Sequence, residues 1–195
     1  MSVALRAWLN RCRRWIARSL LFRTVFGERS QGRLLPHTRI SPSCSIEHEE
    51  RLTLADHVYI GPFNFIEASG GVTIDEGVQI TSHCSIVTHS SHRSQRLLGR
   101  QFVQPGAGER PGWIAGPVHI GAYSFIGPHS LIEANTRLGR GTLVCAGSFV
   151  RGEYPDFAVL EGRPARVVGD TRRTDEALLR GHPELRAFYD AWAKE

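Results

Sequence analysis

Residues 118–150 read VHIGAYSFIGPHSLIEANTRLGRGTLVCAGSFV and place a branched aliphatic residue at every sixth position. These residues are Ile120, Ile126, Ile132, Leu138, Val144 and Val150. An α-helix repeats about every 3.6 residues and a strand every two, so neither produces a period of six. A backbone that turns one corner per repeat does, because each turn returns the next aliphatic side chain to the same internal column. The pattern predicts a stacked-coil β-solenoid.

The repeat extends backwards along the chain. Its earlier members are Ile40, Ile46, Leu54, Ile60, Ile66, Ile74, Ile80 and Ile86. Two steps, from Ile46 to Leu54 and from Ile66 to Ile74, are eight residues long instead of six. Because three steps make one coil, we expect the extra residues to fall at the same corner of successive coils.

Two further patterns share this register. A glycine follows the aliphatic residue at Gly61, Gly121, Gly127 and Gly139, where we expect a corner to need a permissive backbone. Small residues lie four positions after the aliphatic one and should point into the tube: Val58, Val78, Ser124, Ser130, Thr136, Thr142 and Ser148. Cys44 and Cys84 occupy the same position, and the four cysteines form no CxxC pair, so a metal or disulfide role is not expected.

The repeat resembles that of the hexapeptide acyltransferases. The stretch from Gly116–Gly121 (GPVHIG) through Glu161–Arg166 (EGRPAR) is similar to the end of the sugar O-acetyltransferases, such as galactoside and maltose acetyltransferases. The resemblance covers roughly residues 36–170. It implies an all-β fold, a left-handed parallel β-helix of triangular cross-section. It also implies a homotrimer with active sites in the clefts between neighbouring prisms, and acetyl-CoA as cosubstrate.

The segments outside the repeat divide the chain. With 195 residues there is room for one domain, residues 36–170, with short additions at residues 1–35 and 171–195. The last segment has an apolar face interrupted near Pro183, and we expect it to form one or two helices that cap the open end of the solenoid. Neither a leader pattern nor a long apolar run is present, which favours a cytoplasmic protein.

Residues 1–35 are strongly basic. They contain eight arginines and one acidic residue, Glu28, whereas the whole chain has a formal charge of +5. Leu5, Trp8, Trp15 and Ile16 belong to an apolar set at helical spacing with arginines between them. Such a helix can lie on an anionic membrane at the inner surface, or it can pack on protein, and the sequence leaves both open. No motif that accompanies nucleic-acid binding is present, so we expect no nucleic-acid partner.

The repeat is interrupted between Ile86 and Ile120, which are 34 positions apart, so a loop of about 28 residues leaves the coil near residues 88–117. Loops of this length are usually functional. In the sugar O-acetyltransferases the long loop likewise departs through a Thr/His segment, and that histidine is the general base for the acceptor hydroxyl. Thr88-His89 at the root of this loop therefore makes His89 the candidate base.

His92 is the second candidate. In the family that the chain resembles, a glycine ending an arginine-containing turn follows the catalytic histidine by ten residues, and counting back ten from Gly99 gives His89. The family's histidine also lies five residues after the last aliphatic residue of the coil, and counting forward five from Ile86 gives Ser91, between the two histidines. The other histidines at coil positions, His83, His119 and His129, are expected to line the cleft or to be exposed.

The resemblance also implies binding residues. On the acceptor side, the coil before the loop offers Asn64 and Glu67, although neither aligns with the family's own positions. Asn64 also fits an internal hydrogen-bonding role, and Glu67 could orient the histidine or bind a sugar hydroxyl. On the donor side, Phe125 matches the aromatic residue that flanks the pantetheine arm, and the small residues Ala146 and Gly147 would let the cofactor lie close to the backbone. Arg151 stands near a lysine of the family and is equally compatible with a solvated corner residue. Arg163 and Arg166 match positions that meet the nucleotide phosphates, for which the planar guanidinium is well suited.

The sequence thus predicts an acetyl-CoA-dependent O-acetyltransferase that acts on a sugar or surface-glycan hydroxyl, by direct transfer in a ternary complex and without a metal. N-acetylation of an amino sugar is an alternative, because the same base and donor site would serve. A γ-class carbonic anhydrase would need three convergent histidines around zinc. A non-catalytic β-helix scaffold is the remaining alternative.

Overall fold

The computed structural model describes residues 1–103 and 110–194. The predicted loop near residues 88–117 is called the excursion below. Its residues 104–109, and residue 195 of the predicted cap, lie outside the described part of the chain. The sheets are formed mainly by short parallel strands that pair in register, residue for residue. For example, Ser85, Ile86 and Val87 pair with Phe65, Ile66 and Glu67 one layer below.

Three sheets make up the body of the described structure. Face 1 contains β3 (Arg39–Ile40), β6 (Tyr59–Ile60), β9 (Gln79–Ile80), β14 (Phe125–Ile126), β17 (Leu143–Val144), β20 (Ala158–Gly162) and β21 (Ala165–Asp170). Face 2 contains β4 (Ser45–Glu47), β7 (Phe65–Glu67), β10 (Ser85–Val87), β15 (Leu131–Ile132) and β18 (Phe149–Val150). Face 3 contains β5 (Leu52–Leu54), β8 (Val72–Ile74), β13 (Val118–Ile120), β16 (Thr136–Leu138) and β19 (Glu153–Tyr154).

The chain visits faces 1, 2 and 3 in turn, so each coil adds one strand to every face. Strands that are neighbours in a sheet therefore come from successive coils, and they lie about 4.8 Å apart. The turns between the faces form three corners, which we call the 1–2, 2–3 and 3–1 corners. The 1–2 corner includes residues 61–64 and 145–148, the 2–3 corner follows Glu67 and Val87, and the 3–1 corner includes residues 55–58.

The aliphatic columns predicted from the period of six form the core. Ile60, Ile86, Ile126 and Leu138 are completely buried, and the small residues at the second inward position, such as Ser124, are buried with them. Only the first coil departs, since Ile40 and Ile46 are partly exposed at the end of the stack. Most polar inward residues hydrogen-bond to the corners, as the Ser124 hydroxyl does to the carbonyl of Gly139 at 3.1 Å, whereas the buried hydroxyl of Ser148 has no hydrogen-bond partner among the described residues.

The expectation that the corner glycines supply a permissive backbone was wrong. None of Gly61, Gly121, Gly127 and Gly139 has a positive φ. A Cβ on Gly121 would instead lie 2.6 Å from the backbone nitrogen of Arg140 in the next coil. These glycines are needed because stacked corners approach each other closely. The positive φ angles fall two residues later, at Phe63, Tyr123 and His129, and at Gly141 after Gly139.

Additional elements cover the ends and sides of the stack. An N-terminal helix, α1 (Val3–Leu21), precedes the antiparallel hairpin β1 (Glu28–Ser30) and β2 (Arg33–Leu35). The Ser30 hydroxyl bonds the backbone of Leu52 and Leu54, so it satisfies the free edge of β5. At the other end β21 pairs antiparallel with β20.

Two C-terminal helices, α3 (Thr171–Gly181) and α4 (Arg186–Ala193), are separated by a 3-10 turn at Pro183–Leu185. They reach back along the 3–1 corner rather than only over the end of the coils. Trp192 stacks on Tyr123 with ring centroids 4.6 Å apart and tilts against Phe157 at 5.9 Å. None of the helices in the described chain combines the length and apolar character that crossing a bilayer requires.

Candidate active site

The excursion from the coil is closed at its root by two short strands. β11 (His89–Ser90) pairs antiparallel with β12 (Ile114–Ala115), which places His89 opposite Ala115. The amide of Gly116 donates a hydrogen bond to the carbonyl of Thr88 at 3.0 Å. Between these strands lie α2 (His92–Leu98) and a 3-10 turn at Gly99–Val103. His89 is thus held at the 2–3 corner by regular backbone pairing, although it belongs to a long loop.

A buried carboxylate lies directly beneath this root. Glu67 ends β7, pairs in register with Val87 and is only 3% exposed. The amide and hydroxyl of Thr88 donate to its Oε2 at 3.1 and 2.7 Å, and the amide of Ser69 donates to its Oε1 at 2.8 Å. Burial would raise the pKa of Glu67, but the hydrogen bonds from Ser69 and Thr88 outweigh it and lower the pKa to about 2. The carboxylate is therefore ionised at neutral pH.

His89 contacts this carboxylate through one ring nitrogen. Its Nδ1 lies 2.8 Å from Glu67 Oε2 and 3.2 Å from the Ser69 hydroxyl oxygen. The negative charge of the carboxylate beside Nδ1 favours the tautomer of the neutral imidazole that carries its proton there, whereas the Ser69 hydroxyl can donate or accept. Nε2 is then left with a free lone pair. This tautomer with a carboxylate behind it is the arrangement that a histidine general base requires.

The plane of the His89 ring is fixed by the returning arm of the excursion. The indole of Trp113 stacks on the imidazole with centroids 4.9 Å apart and planes 7° from parallel. The Arg110 guanidinium lies over the Trp113 ring at 5.5 Å and over the Phe102 ring at 4.9 Å. The fully buried Ser94 hydroxyl of α2 donates to the carbonyl of Pro111 at 2.8 Å. The outgoing helix therefore holds the arm that carries Trp113.

The His89 side chain, 31% exposed, faces a cleft of about 110 Å³, which we call the His89 cleft. Its lining comes from the loop root, α2 and the next two coils: Val87, His89, Ser90, His92, Arg93, Ile114, Glu133, Ala134 and Arg151. Arg151 lies 3.9 Å from Glu133 in this lining. The cleft thus places a base beside charged groups that can bind polar ligand atoms.

Comparison with known proteins agrees with this architecture. A relative named a probable acetyltransferase, Rv3034c, of Mycobacterium tuberculosis is 30% identical over 140 residues, which cover 72% of this chain and 44% of the relative. The solved structure of a hexapeptide-repeat-containing acetyltransferase, VCA0836, of Vibrio cholerae aligns with a TM-score of 0.59 at 19% identity, covering 82% of this chain and 80% of that one. The chain thus shares the fold of the hexapeptide-repeat acetyltransferases and is similar in sequence to a probable acetyltransferase.

A galactoside acetyltransferase solved in complex with coenzyme A also shares the fold of this hexapeptide-repeat chain. Its TM-score is 0.54 at 19% identity, and the alignment covers 70% of this chain and 63% of the other. No protein-family model matches the chain. The chain spans less than half of the length of the Mycobacterium tuberculosis relative.

His92 differs from His89 in its surroundings. It begins α2, its side chain also lines the His89 cleft, and its Nδ1 lies 2.7 Å from the Ser90 hydroxyl oxygen. The hydroxyl is a neutral partner, whereas the Glu67 carboxylate is charged. Of the two histidines that the sequence proposed as the base, the geometry therefore gives a carboxylate only to His89 within the described residues.

The two residues proposed for the acceptor side are in different settings. Glu67 contacts His89, a position compatible with the suggested role of orienting the histidine. Asn64 is 2% exposed, and its amide nitrogen donates to the carbonyls of Gly61 and Thr81 at 2.9 and 2.7 Å. Its oxygen accepts from the amide of Cys84 at 2.7 Å. This geometry favours the internal role of Asn64 and gives acceptor binding no support.

The residues proposed for the donor side divide between two corners. Ala146 and Gly147 form the 1–2 corner between β17 and β18, Phe125 is on face 1, and Arg163 and Arg166 are on the β20–β21 hairpin that extends face 1. Phe125 is 41% exposed, and the Arg163 side chain bonds the carbonyl of Gly147. Arg151 lies instead at the 2–3 corner, in the His89 cleft. Within one protomer, the main donor candidates and His89 are therefore on different corners.

The remaining histidines do not converge on the site. His83 stacks on His129 at the 1–2 corner with centroids 4.9 Å apart, and His119 Nε2 bonds Asp75 at 2.7 Å. In the described residues, one group has three possible metal ligands within reach of a shared ion, namely His37, Asp56 and His57 near the start of the coils. The rings of His37 and His57 are stacked 1° from parallel, so their in-plane lone pairs do not point to one position. The described residues of one protomer bring no three histidines within reach of a shared ion. A γ-class carbonic anhydrase would draw its three histidines from two subunits, so the zinc measurement described below tests that alternative.

Sequence reasoning missed three residues that build the site. Thr88 was noted only as a mark of the loop root, and Ser69 and Trp113 were not noted. Trp113 lies at the far end of the excursion, so no local spacing connects it to His89.

Proposed function

We propose that the protein is an acetyl-CoA-dependent O-acetyltransferase that acts on a hydroxyl of a sugar or surface glycan. Its coils wind as a left-handed parallel β-helix, the fold that its structural relatives share. The observation that carries the proposal is the His89–Glu67 pair, with Nδ1 of the imidazole 2.8 Å from a buried, ionised carboxylate in a cleft at the root of the excursion.

His89 acts as the general base. Its Nε2 removes the acceptor hydroxyl proton while the hydroxyl oxygen attacks the thioester carbonyl of acetyl-CoA. The C–O bond forms, the C–S bond breaks, and the proton passes from His89 to the departing thiolate. No covalent enzyme intermediate is required. Glu67 stabilises the imidazolium that exists between the two proton transfers, and because its own pKa is low it remains ionised throughout.

The donor would lie along face 1 and the 1–2 corner. Gly147 has no side chain to obstruct a pantetheine arm, and Phe125 offers an exposed aromatic surface beside the next coil. Arg163 and Arg166 are exposed on the adjacent hairpin and can bind phosphates. These residues fit the donor by chemistry and position, and Arg151 is better placed to contact the reacting groups in the His89 cleft.

A homotrimer completes this site. Because the donor residues and His89 occupy different corners of one prism, the donor held by one protomer meets His89 only if a second prism packs beside the first. A closed three-fold arrangement would generate three equivalent sites of this kind. The separation of the two residue groups supports the trimer.

The decisive experiment is an acceptor screen. The purified protein is incubated with acetyl-CoA and a panel of sugars, glycan fragments and amino sugars, and the release of free thiol is measured together with the mass of the product. Acceptor-dependent thiol release with an O-acetylated product supports the proposal. Turnover of amino sugars alone would establish N-acetylation instead. Bound zinc with CO₂ hydration, or the absence of thiol release with every acceptor and of acetyl-CoA binding, would contradict it.

A further inference from the structure

The N-terminal helix α1 has an apolar arc without a partner in the described protomer. None of the residues of α1 is buried. Its large apolar side chains are exposed by 36–75%, and they are Val3, Leu5, Trp8, Leu9, Trp15, Ile16, Leu20 and Leu21. At about 3.6 residues per turn, Leu5, Trp8, Leu9, Cys12, Trp15, Ile16 and Leu20 fall on one side of the helix. A protein that exposes so continuous an apolar surface normally covers it with something else.

The helix turns a different side towards its own body. Arg11, Arg14 and Arg18 line a groove of about 920 Å³ between α1 and the first two coils, and Trp15, at the edge of the apolar arc, lines it with them. Phe22, just after the helix, meets Phe63 of the 1–2 corner with centroids 5.7 Å apart. The basic side therefore lies next to the coils, and most of the apolar arc, including Leu5 and Ile16, is directed away from them. Packing on the coils of the same chain does not cover it.

Charge is arranged on both edges of this arc. Arg11 and Arg18 lie along one edge, Arg6 and Arg13 along the other, and the helix contains no acidic residue. Exposed apolar side chains continue past the end of the helix at Val25 and Phe26. Tryptophans on an apolar arc with arginines along both edges match the boundary between acyl chains and headgroups, where indole rings and guanidinium groups are both favourable.

We propose that α1 docks parallel to an anionic phospholipid surface, with Trp8 and the exposed part of Trp15 inserted at the headgroup level and with Arg6 and Arg13, on the edge away from the groove, on lipid phosphates. Pairing of this arc with the same arc of a second copy is the less favourable arrangement, because it would bring like-charged arginine rows together. Anionic lipid has the opposite charge and attracts each of them. Packing of the arc on a different surface of a neighbouring protomer is distinguished by the oligomer measurement below. The proposal does not depend on the chemistry assigned to His89.

The test uses the full-length protein and sedimentation with vesicles. One set of vesicles is pure phosphatidylcholine, and in the other about a third of the lipid is phosphatidylglycerol, enough to give the surface a negative potential. The variants are Trp8→Ser with Trp15→Ser, and Arg6→Gln with Arg13→Gln. The matched controls change the same residue classes at the opposite terminus, where Leu178 and Phe188 are 65% and 75% exposed: Leu178→Ser with Phe188→Ser, and Arg173→Gln with Arg180→Gln.

We expect the wild type and both controls to bind the anionic vesicles and to be released by salt. The tryptophan variant should bind at least about tenfold more weakly, and the arginine variant roughly fivefold more weakly for each charge removed. Because α1 buries no residue, circular dichroism should show that the variants remain folded. Equal binding of the variants and the wild type overturns the proposal, as does a lack of binding to anionic vesicles. If the tryptophan variant instead loses an oligomer in light scattering, while no form binds vesicles, a second copy covers the arc.

Discussion

The indole ring of Trp113 lies parallel to the imidazole of His89, with centroids 4.9 Å apart, although the two residues stand at opposite ends of the excursion. The same imidazole also contacts a carboxylate, with Nδ1 of His89 lying 2.8 Å from Oε2 of Glu67. The charge of the carboxylate favours the proton on Nδ1, and the stacked indole holds the plane of the ring. Together they leave Nε2 as the nitrogen available to a substrate, and this arrangement makes distinct predictions for each residue.

Replacing His89 with alanine should lower the rate of acetyl transfer by a hundredfold or more, the usual contribution of a general base. Acetyl-CoA binding and the oligomeric state should be retained. The matched control is His92→Ala, which removes the other histidine of the cleft and should keep near-normal turnover in the thiol-release assay. If His92→Ala loses the activity and His89→Ala does not, the base is His92.

Glu67→Gln should change how stability depends on pH. The pKa of Glu67 is lowered to about 2 in the folded protein, against about 4.3 for an unfolded glutamate. A group with a lowered folded pKa stabilises the protein above its unfolded pKa, and this stabilisation is lost as the pH falls from about 4.3 towards 2. The wild type should therefore lose on the order of 2–3 kcal/mol more than Glu67→Gln across that window.

This difference is measured by urea unfolding of both proteins at several pH values between neutrality and acid. Carboxylates elsewhere titrate in both proteins and cancel in the comparison. Parallel loss of stability in the two proteins would show that Glu67 is not held in the ionised form by its hydrogen bonds.

Trp113→Ala should lower kcat about tenfold with little change in KM for acetyl-CoA, because the ring of His89 loses its orientation rather than its chemistry. An aromatic stack of this kind contributes about 0.5–1.5 kcal/mol beyond burial. Trp113→Phe keeps a flat ring and should recover most of the rate in the same steady-state assay. A phenylalanine variant as slow as the alanine variant would mean that the indole has another role.

Mixed oligomers should report whether the site is shared between protomers. His89→Ala and Arg163→Glu are each expected to be nearly inactive. The first variant lacks the general base, and the second lacks the cation that binds the phosphates. When the two are refolded together, random mixing should restore about a quarter of the sites, those in which an intact His89 meets an intact donor surface on the neighbour. Activity no greater than the sum of the separate variants would place the complete site within one protomer.

Gly121→Ala should destabilise the protein by about 1–3 kcal/mol, because the new methyl group would lie 2.6 Å from the backbone nitrogen of Arg140 and the coils would have to separate. Gly181→Ala is the control, since a Cβ there meets nothing within 4 Å. It ends α3, where alanine is at least as favourable as glycine. The loss of stability of each variant is measured by thermal unfolding. Equal losses in the two variants would argue against the close approach of stacked corners.

The core of the fold was predictable because a local rule generates it. A period of six places Ile60, Ile126 and Leu138 on the inside regardless of what other parts of the chain do, and these residues are fully buried. The role of the corner glycines was not predictable in the same way. Their requirement comes from the distance to the next coil, as for Gly121 and Arg140, and that distance exists only after the coils have stacked.

The candidate site shows the same division. The break in the repeat and the Thr88-His89 dipeptide at its root indicated where chemistry should lie, and the sequence left His89 and His92 as alternatives. Only the folded chain distinguishes their surroundings, because β7 and β10 must stack before Glu67 lies beneath His89, and β11 must pair with β12 before Trp113 reaches the ring. The apolar arc on α1 shows this division too. Its amphipathic pattern can be predicted from the sequence, whereas its orientation away from the coils cannot.

The sequence by itself determined the coiled core, the position of the excursion and the basic character of the N-terminal helix, since all three depend on the spacing and charge of residues close together in the chain. The tertiary structure alone decided the partner of His89, the internal role of Asn64 and the placement of His89 and the donor residues on different corners. These depend on which coil lies above which, and residues far apart in sequence meet only when the strands have paired in register.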